Sequence, residues 1–246
     1  MPRYAVIDVG TNSVKFNLSE RSADGSWRTV VDRAEITRLG EGLEKSGEIS
    51  SEAMARTVSA IAAMTAEAKQ NGVAAVAAVG TMGMRTARNS QQFIEAVEQR
   101  CGVRIEVIAG EEEGRLAYLA VKSGLGLAEG SLAIFDTGGG STQFTFGRGC
   151  TVTERFSLNV GAVRYTERYG LGGLVSPEHL GAALEAISTD LTRLATGGSP
   201  DALVGMGGAI TNMAAVKHRL AKYDPEQDEI RRRAQEYPAV TLTPVG

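Results

Sequence analysis

The chain has 246 residues, near the upper limit for one hydrophobic core, so two domains of about 100 to 150 residues are expected. Hydrophobic residues make up 43% and charged residues 22%, which is typical of a packed globular protein and excludes a disordered, collagen-like or coiled-coil chain. The net charge of -3 provides no large basic field, so nucleic acid is not an expected partner.

The few cysteines and histidines exclude a zinc cluster and a disulfide framework, because Cys101, Cys150, His179 and His218 are scattered along the chain. A bound metal would therefore need oxygen ligands. No apolar run reaches the roughly 18 to 20 residues that span a bilayer, and the N-terminus lacks the apolar core of a signal peptide. The sequence predicts a cytoplasmic protein without a membrane partner.

Strands and helices alternate through the first part of the chain. An apolar run at 4–7 is followed by a glycine turn and by apolar-polar alternation at 14–18, which predicts strand, tight turn and half-buried strand. Ser50 is a candidate N-cap for a helix whose apolar residues recur at steps of three and four. Further predicted elements are strands at 73–79 and 103–108 and helices at 90–100 and 111–122.

The glycines at 124 and 126 interrupt this pattern, which then restarts. We therefore expect one domain at 1–124 and a second at 125–246. The second is predicted to contain strands at 132–135, 142–146 and 203–204, a helix capped by Ser176 and Pro177, and a helix at 210–219.

The restart is an internal repeat. Residues 8–16 and 136–144 share Asp, Gly, Ser and Phe at a constant offset of 128 residues, as between Asp8 and Asp136. Both stretches follow an apolar strand and precede an alternating one. This predicts two copies of a unit made of strand, glycine turn and strand.

Such glycine hairpins are suited to binding phosphate. Successive backbone N–H groups form an anion-binding concavity, and small residues let phosphate oxygens approach closely. A single hairpin of this type is usually only a turn, but a pair, each preceded by Asp, predicts a clamp for phosphate and a divalent cation, with magnesium expected. A third glycine cluster at 205–209 precedes a helix, which is the setting of another anion site. The P-loop and Rossmann phosphate motifs are absent from the sequence.

With these motifs the chain resembles the exopolyphosphatase/guanosine pentaphosphate phosphatase (Ppx/GppA) family of the actin, sugar kinase and Hsp70 superfamily. The resemblance rests on residues 6–13, 38–43, 81 with 85–89, 110–115, 136–142 and 161–164. It implies an α/β protein with two ribonuclease-H-like domains of the actin-like ATPase kind. Each would be a mixed sheet flanked by helices, with a cleft between the domains and a second domain incomplete at its C-terminus.

The resemblance also implies an activity, the magnesium-dependent release of terminal orthophosphate from inorganic polyphosphate or guanosine pentaphosphate. Glu113 matches the catalytic glutamate that activates water, and Arg85 matches the catalytic arginine. The expected metal ligands are Asp8, Asp136 and Gln143, the last at a place where the family usually has Glu. The expected phosphate-binding residues are Gly10, Thr11, Asn12, Ser13, Gly138, Gly139, Gly140, Ser141, Gly207 and Gly208.

Three functions remain open at this point. Glu113 favours the hydrolase, whereas Gln143 and the short C-terminus favour a regulator that binds an alarmone or a phosphate chain with weak or no catalysis. A kinase of the same superfamily is disfavoured by the Glu-Glu-Glu-Gly-Arg stretch at 111–115. The sequence does not choose between polyphosphate and alarmone. It is compatible with a homodimer without fixing the oligomeric state.

Overall fold

The computed structural model describes residues 1–125, 130–149, 151–196 and 199–217. The chain divides into two compact units, Met1–Ala109 and Gly110–Gly246, called here the first and second units. This division falls at the start of the helix Gly110–Leu125, whereas the sequence-based boundary after residue 124 falls at its end.

The first unit is built on a mixed sheet. Its strands are β1 (Arg3–Val9), β2 (Ser13–Arg21), β3 (Trp27–Ile36), β4 (Ala75–Gly80) and β5 (Ile105–Val107), in the order β3-β2-β1-β4-β5. β2 pairs antiparallel with both β1 and β3, whereas β4 pairs parallel with β1 and β5 pairs parallel with β4. The predicted strands and the tight turn are therefore confirmed.

Helices cover one face of this sheet. They are α1 (Leu43–Ser46), α2 (Ser51–Gln70), α3 (Met82–Thr86) and α4 (Ser90–Cys101). Ser50 caps α2 as predicted, because its Oγ accepts a hydrogen bond from the Ala53 N–H at 3.2 Å. Ile61 of α2 and Phe93 of α4 are fully buried against Ile7 and Phe16 of the sheet, which places the core of this unit between the helices and the sheet.

The second unit contains four strands and several helices in its described part. They are α5 (Gly110–Leu125), β6 (Ser131–Thr137), β7 (Thr142–Arg148), β8 (Thr151–Leu158), α6 (Ala162–Tyr169), α7 (Pro177–Asp190), a 3-10 helix (Leu191–Thr196), β9 (Ala202–Met206) and α8 (Gly208–Lys217). The sheet order is β8-β7-β6-β9, with β6, β7 and β8 antiparallel and β9 parallel to β6. The last two residues of the helix predicted at 210–219 lie outside the described residues.

The order β8-β7-β6-β9 repeats the order β3-β2-β1-β4 of the first unit, with the same strand directions. The predicted internal repeat is thus confirmed as a repeat of topology. The sequence did not indicate β3 and β8, which lie at the edges of their sheets. Seven of the ten residues of β3 and four of the eight residues of β8 are exposed, so their apolar-polar alternation is weak.

The core of the second unit lies under α5. Tyr118 and Val121 of this helix pack on Leu132 and Ile134 of β6, and all four side chains are buried. The helix α7 is much less covered, and Ala183 is its one buried residue. Among the described residues, no helix has both the length and the apolar character needed to cross a membrane.

Candidate active site

The hairpin between β1 and β2 is closed by a hydrogen bond from the Gly10 N–H to the Ser13 carbonyl at 3.0 Å. At its tip, Thr11 is buried between two glycines. A Cβ on Gly40 would overlap the Cγ2 of Thr11, and a Cβ on Gly83 would lie 3.4 Å from its Oγ1. The overlap explains why glycine stands at position 40, whereas a Cβ at position 83 would make an ordinary van der Waals contact.

The loop after β3 also fixes the backbone of this hairpin. The Arg38 N–H donates to the Asn12 carbonyl at 2.8 Å, and the Gly40 N–H donates to the Thr11 carbonyl at 2.8 Å. In a trans peptide the carbonyl and the following N–H point in opposite directions. The N–H groups of Asn12 and Ser13 are therefore directed away from this loop, as an anion site requires.

Arg85 lies on α3 and is half-buried. Its Nη1 donates to the carbonyl of Ile108, just after β5, at 2.8 Å. This bond fixes the guanidinium at the end of the parallel strands. Because a guanidinium carries several N–H donors, Arg85 can bind an anion while it keeps this bond.

The other polar residues of the 85–89 stretch have a structural role that the sequence did not reveal. The Asn89 amide donates from Nδ2 to the Ile49 carbonyl and accepts from the Ile49 N–H at Oδ1, both at 2.9 Å. Arg88 donates to the Ser46 carbonyl at 3.0 Å. These bonds hold the segment before α2, which explains the stretch without a catalytic role for Arg88 or Asn89.

The hairpin between β6 and β7 repeats the closure of the first, because the Gly138 N–H donates to the Ser141 carbonyl at 2.9 Å. The carbonyl groups of Gly138 and Gly139 accept hydrogen bonds from the first residues of α6. The Ala162 N–H donates to the Gly138 carbonyl at 3.0 Å, and the Val163 N–H donates to the Gly139 carbonyl at 2.8 Å. By the same peptide geometry, the N–H groups of Gly139 and Gly140 point away from α6.

Two further glycines allow this hairpin to be packed closely. A Cβ on Gly161 would lie 2.5 Å from the Gly139 carbonyl oxygen and 2.6 Å from the Ser141 nitrogen. A Cβ on Gly207 would lie 2.6 Å from Oδ1 of Asp136, and Gly207 has φ +90°, which only glycine adopts readily. The third glycine cluster therefore lies at the end of β6, beside Asp136.

The first turn of α5 lies over β7. A Cβ on Gly114 would lie 2.7 Å from the Oγ1 of Thr145 and 3.6 Å from the Cβ of Gln143. Glu113 precedes this contact and is thus placed in the turn that covers the sheet. Asp136 pairs directly with Gln143, so both side chains project from the same face of the sheet.

Neighbouring glutamates in that turn have different surroundings. Glu112 forms a two-point ion pair with Arg115, with oxygen-nitrogen distances of 2.6 and 2.8 Å. The hydrogen bond from Arg115 lowers the pKa of the Glu112 carboxyl. The Glu112 carboxylate is thus held by Arg115. Glu112 therefore does not share the role expected of Glu113.

Gln143 is almost completely buried, with 2% of its surface exposed. Its Nε2 donates to the Oγ of Ser141 at 2.6 Å and, more weakly, to the Oγ of Ser157 at 3.5 Å. Ser157 is its direct partner on β8. The side chain therefore links the end of the glycine hairpin to the neighbouring strand.

The aspartate of the first hairpin fits a cation. Oδ2 of Asp8 accepts from the Lys15 ammonium at 3.1 Å, whereas Oδ1 is buried and has no hydrogen-bond partner among the described residues. Within those residues, no three His, Cys, Asp or Glu side chains are grouped closely enough to hold a metal by themselves.

Two units of this topology, each with Asp at the end of its first strand and a tight hairpin after it, define a protein of the ribonuclease-H-like, actin-like ATPase class. The chain belongs to the Ppx/GppA phosphatase family, whose sequence model matches residues 20–236.

Relatives agree with this assignment. The chain is 32% identical over 185 residues to a guanosine-5'-triphosphate,3'-diphosphate pyrophosphatase of Photobacterium profundum, a match that covers 75% of this chain and 37% of that protein. The solved PPX-GPPA enzyme of Aquifex aeolicus is 34% identical with a TM-score of 0.75, and the match covers 91% of this chain and 74% of that one. A solved exopolyphosphatase-like protein is 28% identical with a TM-score of 0.84, covering 90% and 71%. The chain thus spans little more than a third of the length of its curated relative.

Proposed function

We propose that this protein hydrolyses the terminal phosphoanhydride of inorganic polyphosphate or of guanosine pentaphosphate and releases orthophosphate. One observation carries the proposal: the second unit places the turn that contains Glu113 over the sheet face that carries Asp136, next to a glycine hairpin. Membership of the phosphatase family and the activities named for the relatives support the same reaction.

The hairpins would bind phosphate groups. The N–H groups of Gly139 and Gly140 point away from α6, and two parallel N–H groups of this kind can hold phosphate oxygens. Gly207 and Gly208 would add to this site at the start of α8, and Gly138 and Ser141 close its hairpin. In the first unit, Arg85 and the hairpin residues Gly10, Thr11, Asn12 and Ser13 would likewise bind phosphate. Phosphoryl transfer depends mainly on such positioning and charge neutralisation.

Glu113 would be the general base. Its carboxylate would orient the attacking water and accept a proton from it while the bond between the terminal phosphorus and the bridging oxygen breaks. The leaving phosphate chain keeps the bridging oxygen, and the water oxygen remains on the released orthophosphate. Glu112 is unsuited to this role, because Arg115 holds its carboxylate and lowers its pKa.

In the second unit Asp136 would hold magnesium, and the amide oxygen of Gln143 would add a neutral ligand. In the first unit Asp8 would bind magnesium. When bound, such an ion neutralises negative charge on the phosphate oxygens. Two features support this assignment. Oδ1 of Asp8 is buried without a hydrogen-bond partner among the described residues, and the Asp136 carboxylate is the kind of oxygen ligand that magnesium prefers. Each of these residues lies at the end of a strand or directly opposite that end.

The test is phosphate release from polyphosphate, guanosine pentaphosphate and ATP, measured in parallel with magnesium present. We expect release from one or both of the first two and little from ATP. Glu113→Gln serves as the inactive control. Tight binding of the substrates without release would contradict the hydrolase and favour a second function, a regulator that senses a phosphate chain. That alternative is favoured by Gln143, which brings no charge where a carboxylate would assist a cation.

A further inference from the structure

The geometry points to Gln143 as a positioning residue that turns the hydroxyl of Ser141 outward, as a hydrogen-bond donor to the bound phosphate chain. This inference rests on the proposed phosphate site at the second hairpin. It adds that the Ser141 hydroxyl acts in that site as a hydrogen-bond donor. The feature that carries it is the bond from the Gln143 Nε2 to the Ser141 Oγ at 2.6 Å.

The direction of this bond determines what the hydroxyl can do. A hydroxyl has one hydrogen to donate and lone pairs to accept with. Because the Ser141 Oγ accepts from the amide, its own hydrogen must be donated elsewhere. Among the described residues, no acceptor lies within hydrogen-bond distance and geometry of that hydrogen.

Burial makes this open donor significant. Ser141 is only 3% exposed, and an unsatisfied polar group in such a place is costly. Ser141 also ends the turn whose Gly139 and Gly140 N–H groups point away from α6. A phosphate oxygen held by those N–H groups would supply the missing acceptor.

The amide cannot be replaced by a carboxylate without reversing this arrangement. Glutamate at position 143 could only accept, so the Ser141 hydroxyl would donate to it and would be withdrawn from the ligand. Ser157 does not play the same part, since it is the weaker partner of the amide at 3.5 Å and lies on the neighbouring strand β8.

A double-mutant cycle on the full chain tests the inference, with tripolyphosphate binding in magnesium buffer measured by calorimetry. Ser141→Ala should weaken binding about 10-fold. Gln143→Met, which keeps length but removes the donor, should weaken binding several-fold in the wild-type background and no further in the Ser141→Ala background. The control, Ser157→Ala, should bind within about twofold of wild type, in line with the weaker bond.

Equal effects of Gln143→Met in both backgrounds would overturn the inference, as would unchanged binding by Ser141→Ala or failure of the wild-type chain to bind tripolyphosphate. Thermal unfolding of every variant shows whether the fold persists. If Gln143→Met does not fold, the same cycle is run with Gln143→Leu, which also lacks the donor and adds no charge, and the same non-additivity is expected. Phosphate release is measured separately. A chain that binds tripolyphosphate with the expected coupling but releases no phosphate contradicts only the proposed hydrolase activity. A chain that releases phosphate but shows no coupling between positions 141 and 143 contradicts only this inference.

Discussion

Asp136 and Gln143 face each other across the antiparallel strands β6 and β7, just as Asp8 and Lys15 face each other across β1 and β2. The two hairpins therefore share a framework but differ in charge. In the first, the Lys15 ammonium contacts the Asp8 carboxylate at 3.1 Å. In the second, the neutral amide of Gln143 occupies the place that corresponds to Lys15.

Glu113→Gln should lower turnover about 100-fold or more while the fold persists, because the amide keeps the shape but cannot accept a proton. Steady-state phosphate release and thermal unfolding measure the two effects. Glu112→Gln is the matched control, since it removes only an exposed ion pair with Arg115. Activity of Glu113→Gln within threefold of wild type would remove Glu113 from the mechanism.

Asp136→Asn should raise the magnesium concentration needed for half-maximal activity, because an amide is a poorer ligand than a carboxylate for a hard cation. Removal of divalent ions with a chelator should abolish the activity of both proteins, and added magnesium should restore it at a lower concentration in the wild type. An unchanged magnesium titration of the variant would place the metal elsewhere.

Gln143→Glu should change two quantities in opposite directions. The added carboxylate next to Asp136 should lower the magnesium requirement, and loss of the amide donor to Ser141 should raise the Michaelis constant for polyphosphate. Titrations of magnesium at saturating substrate and of substrate at saturating magnesium separate the effects. A magnesium requirement equal to that of the wild type would exclude Gln143 from the metal site.

Gly161→Ala should impair phosphate binding and stability together. The new Cβ would meet backbone atoms of the second hairpin, including the Gly139 carbonyl oxygen at 2.5 Å, so the hairpin must shift. Gly181 inside α7 has nothing within 4 Å, and Gly181→Ala should stabilise the protein by about 0.5 to 1 kcal/mol. Chemical denaturation and tripolyphosphate calorimetry on both variants make the comparison. Normal binding by Gly161→Ala would contradict the close packing of α6 on the hairpin.

Tyr165 makes stability depend on alkaline pH. Burial, aided by the hydrogen bond from its hydroxyl to Asp190 at 2.6 Å, raises the pKa of the phenol to about 12. The folded protein thus binds one more proton than the unfolded chain between the ordinary pKa of about 10 and this raised value. The contribution of Tyr165 to the free energy of unfolding should be fully present below about pH 10. It should fall by about 2 to 3 kcal/mol as the pH rises to about 12.

Tyr165→Phe tests this dependence, since it has no proton to lose. Urea denaturation of both proteins at several pH values between 9 and about 12 should show a steeper loss in the wild type. Parallel pH profiles would show that the Tyr165 phenol is not linked to folding.

Much of the framework could be predicted from the sequence because it depends on local patterns. Short apolar runs located β1 and β6, apolar-polar alternation located β2 and β7, and the Ser50 cap located the start of α2. The shared Asp, Gly, Ser and Phe revealed the repeat, because corresponding strand and turn positions need the same residue types in both units.

The tertiary structure decided what no local pattern contains. Gly161 contacts a hairpin about twenty residues earlier in the chain, Asn89 holds the backbone of Ile49, and the Gln143 amide reaches Ser157 on the neighbouring strand. Each of these roles follows from distances between segments that are far apart in sequence or lie on neighbouring strands. Periodicity reports which side of an element is buried, but the atom that a buried polar side chain meets is set only when the strands and helices pack together.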